Sequence, residues 1–233
     1  MARSVHTRPR HLRAARRVRA PYATRGVGDS RLGRTVAGAL KQLGVIAEQE
    51  VPSDGLGGPL PLPRLREQRP ARGFFHPAEK GDVARVLRFF GAECVYGLRS
   101  IELVRGSSAA ATDRLQLGRL ELPGRIRLYQ QRRSPWLLTG ALSEVEQARL
   151  RRAGAVIEVL GLGSQTLITW PSETLRAFML FDVLMHEVGH HLVQQYKGKR
   201  EMRVVRTSEH EAFADLFAWQ CRVAYEARAS ART

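Results

Sequence analysis

Late in the chain, His186, Glu187 and His190 are residues of the types, and at the spacing, that let a protein hold a metal ion and use it. They form the pattern H-E-x-x-H. On a helix, residues four apart share a face. Two imidazoles at that spacing can therefore bind one ion while the Glu between them acts on the water the ion carries. The bare pattern has a chance rate of about 1% at this His and Glu content. It carries weight only if the surrounding elements would position it and a further ligand exists.

The segment "ETLRAFMLFDVLMHEVGHHLVQQY", preceded by Pro171 and a capping Ser172, predicts a helix of about 24 residues. On a wheel of 100° per residue, Leu175, Met179, Asp182, His186, His190 and Val193 fall on one stripe. Phe181, Leu184, Val188 and Leu192 fall on the other side. A helix apolar nearly all round is a buried helix, and buried histidines need partners. An ion would supply them. His191 is rotated about 100° from His190 and reads as a packing or capping residue, not a ligand. Gly189 in mid-helix costs up to ~1 kcal/mol relative to Ala, which is tolerable where a small residue must let another segment approach.

A catalytic zinc site keeps three protein ligands plus water, so a third ligand is needed downstream. In "TSEHEAFADLFAWQ", Glu211 and Asp215 stand at i, i+4 on a second helix, with Phe213, Leu216, Phe217 and Ala224 roughly opposite to pack. A blander reading exists. Ser208-x-x-Glu211 fits a capping box, in which Glu211 would reach back to the Ser208 amide. That reading leaves the repeat of the same face at Asp215 unexplained.

His186-Glu187-x-x-His190 followed after twenty residues by Glu211-x-x-x-Asp215 resembles the gluzincin metallopeptidases, the thermolysin-like clan. The segment "EAFADLFA" is similar to the E-x-x-A-D-x-F/Y-A run of compact members, nearest in style to the repressor-cleaving ImmA/IrrE-like peptidases. The resemblance spans roughly residues 166–225, about a quarter of the chain. It implies a zinc metalloendopeptidase with Zn2+ on His186, His190 and Glu211. It further implies Glu187 as general base, and Asp215 as the carboxylate that accepts from a ligand imidazole. One departure is His210 beside Glu211, because SprT-like peptidases use a third His. His210 is thus an alternative third ligand.

The implied fold is α+β and zincin-like. It has a small, mostly antiparallel sheet, then a buried active-site helix, then a second C-terminal helix bearing the third ligand. An oxyanion stabiliser is expected, and Tyr196, Arg206, His210 and Tyr225 are all candidates. A protein or peptide substrate would add to an exposed strand edge, for which Thr166 to Trp170 is the expected strand.

The elements ahead of the site read in order as follows. Residues 1–28 hold eight arginines and no acid, a basic and disordered arm by composition. Residues 29–76 hold a helix over 31–44, a short strand over 45–51 and a Pro/Gly-rich linker. The metallopeptidase domain is expected over 77–233. It should begin with an amphipathic helix ended by Gly91 and strands over 100–105 and 124–130. A helix capped by Ser143 and strands over 155–160 and 166–170 should follow.

The net charge is +16, and Lys41, Lys80, Lys197 and Lys199 are the only lysines. Nucleic acid could bind the arm or the basic loop 197–206; the blander reading is a coding bias and a solvated loop. A binding protein with a structural metal, or a peptidase acting on a DNA-bound repressor, is the alternative function. Two distant cysteines argue against a disulfide framework and for a reducing, cytoplasmic setting. No apolar run approaches the ~20 residues of a membrane span.

Overall fold

The computed structural model describes residues 61–106, 117–161, 165–171, 173–196 and 207–231. The basic arm, the expected helix over 31–44, the strand over 45–51 and the 197–206 loop lie outside the described residues, as does Ser172.

Strands β1 (Arg64–Glu67), β3 (Ser100–Val104), β5 (Arg125–Tyr129) and β4 (Gly118–Glu121) form one sheet in the order β1-β3-β5-β4. β1 and β5 run parallel to β3, and β4 runs antiparallel to β5. A second sheet, antiparallel throughout, has the order β7-β9-β8, from β7 (Trp136–Thr139), β8 (Val156–Leu160) and β9 (Gln165–Thr169). The short β2 (Phe74–Phe75) and β6 (Gln131–Arg132) pair with each other. Among the described residues, four of the six pairings are antiparallel. The α+β class therefore holds. The sheet beside the site, however, is mixed, with two parallel pairs, β1–β3 and β3–β5.

β1 and β2 sit where the sequence reads as a Pro/Gly linker. Pro63 and Pro70 bracket β1 without interrupting it, and β1 is an edge strand, where a missing N–H is tolerated. The period-2 alternation of β5 puts Ile126 and Leu128 in the core, with Ile101 and Leu103 of β3 beside them.

Against that apolar face pack α1 (Lys80–Phe90) and the C-terminal helices. α1 buries Val83, Val86, Leu87 and Phe90 and is stopped by Gly91 at φ 79°. α2 (Ala92–Val95) is a single short turn. α3 (Glu144–Arg152) starts on a capping box in which Ser143 accepts from the Glu146 amide and Glu146 returns to Ser143.

The long apolar helix exists, but not as one uniform α-helix. α4 (Thr174–Phe178) continues into a π-helical stretch, Met179–Met185, and then α5 (His186–Tyr196). The backbone stays in the right-handed helical region at both joins. Phe178, Leu184, Met185 and Val188 are completely shielded, as expected for a helix apolar on all sides. α6 (Ser208–Ser230) closes the chain and packs on α5. Among the described residues no helix is long and apolar enough to cross a membrane.

Candidate metal centre

The site begins where α5 and α6 cross. A Cβ on Gly189 would stand 2.9 Å from the Cα and 3.3 Å from the Cβ of Ala214. The two backbones meet there because neither residue carries bulk. His186 and His190 lie three residues before and one after Gly189; Glu211 and Asp215 hold the same offsets about Ala214. Helical geometry then turns all four side chains into one angle between the helices.

Gly189→Ala illustrates which effect wins. Helix propensity alone favours Ala by up to ~1 kcal/mol. The new methyl, however, would press on backbone, and overpacking of that kind costs typically ~1–3 kcal/mol. The expected result is a lower melting temperature in the presence of chelator; an unchanged or higher one would show that α6 can move aside.

His186 Nε2 and His190 Nε2 are 3.1 Å apart. Glu211 Oε2 lies 3.5 Å from the first and 3.4 Å from the second. Donors bound tetrahedrally at Zn–N and Zn–O lengths of about 2.0–2.2 Å sit roughly 3.3–3.5 Å from one another. The triangle therefore has the size of one zinc coordination face. Two imidazoles and a carboxylate are also a zinc-type donor set. Among the described residues these three are the group whose ligand atoms converge. The imidazoles are shielded, at 9% and 4% side-chain exposure, whereas Glu211 is 45% exposed. The centre thus opens to solvent on the Glu211 side.

Asp215 Oδ1 is 2.9 Å from His186 Nδ1, a contact close enough to be charge-assisted though off the line of an ideal hydrogen bond. Burial pulls the His186 imidazole toward its neutral form, but Asp215 and Glu211 together outweigh it and raise its pKa. In return His186, then His190, holds the Glu211 carboxyl well below the usual carboxylate range. Asp215 is pushed up by burial but brought below its ordinary value by His186. The site is one coupled unit of imidazoles and carboxylates.

Glu187 points elsewhere, toward the sheet. Its Oε2 accepts the Leu120 amide of β4 at 2.8 Å. Leu117 O accepts from Tyr129 N, so on β4 alternate residues face β5 and the residues between, Gly118 and Leu120, face outward. An outward amide of the edge strand thereby fixes Glu187. Val183 crowds Gly118, where a Cβ would come within 2.6 Å of its Cγ1, so Gly is needed for β4 to lie this close.

His191 turns away from the centre, as its wheel position predicts, and its Nε2–H donates to the Tyr96 carbonyl at 2.9 Å. Burial lowers its pKa against that bond, which keeps the ring neutral. His210, the alternative ligand, places Nδ1 against the Thr207 amide at 3.3 Å, in a capping box with Thr207 as N-cap. The box lies one residue earlier than Ser208-x-x-Glu211, which leaves Glu211 for the centre. Tyr225 lies fourteen residues beyond Glu211, about 21 Å along the helix axis, where its ring packs on Phe89 and Phe181. That removes it as an oxyanion stabiliser. Arg206 lies outside the described residues.

The strand expected to bind substrate is also corrected. β9 is the middle strand of its sheet, paired on both sides, and has no free edge. The edge strand beside Glu187 is β4.

Sequence patterns give Arg149 no role and place Asp182 only on the histidine stripe. In the π-helical stretch the His186 amide bonds to Val183 O, three residues back, instead of Asp182 O. The Asp182 carbonyl instead accepts from Arg149 of α3. The Asp182 carboxylate takes Arg222 of α6 at 2.9 Å. Burial raises the Asp182 pKa, opposed first by Arg222 and then by Arg149. One residue thus ties α3, the helix leading into His186 and α6 together. No local pattern marks it; Arg149 is thirty-three residues upstream.

No family model matches the chain, and no curated protein or solved structure matches it either.

Proposed function

We propose that the protein is a zinc-dependent peptidase of the gluzincin type, with His186, His190 and Glu211 as ligands and Glu187 as general base. The observation that carries this reading is a three-ligand, zinc-sized cluster that stays open on one side. Structural zinc takes four protein ligands and closes, whereas catalytic zinc keeps a position for water. That distinction is why a purely structural metal is the weaker reading.

Zn2+ bound there would lower the pKa of a bound water toward ~7 and polarise the scissile carbonyl. The chain's own groups do the rest. Glu187, steadied by the Leu120 amide, takes the proton of the attacking water and returns it to the leaving amine. Asp215 holds the His186 ring in the tautomer that presents Nε2 to the centre. The outward edge of β4 offers backbone groups along which an extended peptide would lie, next to the base.

The test is incubation of the purified chain with a broad peptide library. New termini should appear with Zn2+, vanish with a chelator and return when Zn2+ is restored. Absence of any chelator-sensitive cleavage across the library would overturn the assignment.

A further inference from the structure

The outer face of the four-stranded sheet has a composition that the peptidase reading does not use. Cross-strand partners point to the same side, and the register aligns two complete rows. One row is Arg64, Ser100, Arg125 and Glu121; the next is Arg66, Glu102, Arg127 and Arg119. Eight adjacent positions therefore hold five arginines, two glutamates and a serine, an excess of three positive charges. The opposite face of the same strands carries Leu65, Ile101, Leu103, Ile126 and Leu128 against the core.

At the centre of the arginines is Glu102, itself buried. Arg66, Arg125 and Arg127 approach it at 3.8, 3.7 and 3.6 Å. Those separations are longer than hydrogen bonds. One carboxylate gathers three guanidiniums without using up their donors. Arg127 keeps a shorter pair with Glu121 at 3.1 Å, yet its buried Nε has no hydrogen-bond partner. The arrangement is a set of forked donors whose positive charge exceeds that of the two carboxylates among them.

We propose that this sheet face binds the phosphodiester backbone of nucleic acid. Guanidinium forks match phosphate oxygens in a bidentate way. Strand geometry sets the arginines about 5 Å apart across strands and roughly 7 Å apart along them, a grid that can engage several phosphates together. A protein partner fits less well. Protein interfaces depend on a few buried aromatic or aliphatic anchors, and none of the eight positions is apolar. Phosphate contacts position a nucleic acid without reading its sequence, so binding should be sequence-independent. Arg119 and Glu121 lie on β4, the strand that also holds Glu187. The arginine face is on the side of the sheet away from the helices that carry the metal centre.

The test is fluorescence anisotropy of a labelled mixed-sequence 20-mer, single- and double-stranded, titrated with the full chain across a salt series. Arg64→Gln/Arg66→Gln/Arg125→Gln should weaken binding at least about 10-fold and reduce the log–log salt slope by roughly 2–3, one phosphate contribution of ~0.7–0.9 per arginine. Its melting temperature and zinc binding report that the variant is folded. Binding equal to wild type in the folded variant, including the case where deleting residues 1–28 abolishes binding, would overturn the proposal. Displacement by poly-glutamate as effective, charge for charge, as unlabelled DNA would do the same. Should the triple variant not fold, arginine-selective chemical modification of the wild type decides. DNA must protect Arg64, Arg66 and Arg119, and equal reactivity with and without it refutes the site. The readout is binding alone, so it stands or falls independently of proteolysis.

Discussion

Replacing Glu187 with Gln should abolish cleavage while leaving metal content unchanged. General acid–base catalysis contributes typically ~10²–10⁴ in rate, and the variant should lose about that much in kcat. Gln is nearly isosteric and its side-chain oxygen can still accept the Leu120 amide at 2.8 Å, so β4 has no reason to move. What it cannot do is take a proton from water. Glu187 is also outside the converging ligand triangle, so zinc should remain. A variant with wild-type kcat and no contaminating protease would remove Glu187 from the chemistry. A variant that loses the metal would show that Glu187 is a ligand instead.

His190→Ala and Glu211→Ala should each lose zinc, measured by metal analysis after desalting. The loss should exceed the ~10–100-fold fall in affinity that removal of an outer partner such as Asp215 produces. Asp215→Asn provides that internal scale. Retention of metal in Glu211→Ala would shift the third ligand to His210, which would have to leave its place at the Thr207 amide. Affinity should also depend on pH with a defined sign. The ion requires neutral imidazoles, and the carboxylates around His186 raise its pKa above the ordinary ~6.5. Zinc affinity should therefore fall as pH drops through that raised value. The opposite holds for the protein without metal. A raised histidine pKa stabilises the fold fully below the unfolded value, and that contribution fades as pH rises through the folded one. The His186 contribution to the melting temperature should thus run in opposite directions with chelator and with zinc through the histidine range.

Much of the site was legible because it rests on short-range helical geometry. Four-residue spacing places His186 with His190 and Glu211 with Asp215, and Gly189 signals a close approach. The strand β5 was legible from alternation, and α3 from Ser143 as its cap. Other features leave little local trace. β4 is four residues, Gly-Arg-Leu-Glu, with no β-branched side chain to mark it. β1 lies among prolines, and its pairing with β3 is set thirty-six residues away. The π-helical stretch defeated the uniform wheel. A wider turn before His186 means that Asp182, on the histidine stripe at 100° per residue, instead serves Arg222 and Arg149. The N-cap of α6 is Thr207, boxed with His210, one residue before the Ser208 of the blander capping-box reading. Tertiary pairing decided which strand has a free edge, and so β9 gave way to β4.

The crossing of Gly189 and Ala214 also has a consequence for chain topology. His190 and Glu211 are separated by twenty residues that leave one helix and return along another. An ion bound by both would close that stretch into a loop, as a removable cross-link. The entropic cost of closing a loop grows only slowly with its length, so changes in length between the helices should be tolerated far better than changes at the crossing. The segment joining α5 and α6 is then the natural place for insertions. The small pair at the crossing fixes where the loop is tied.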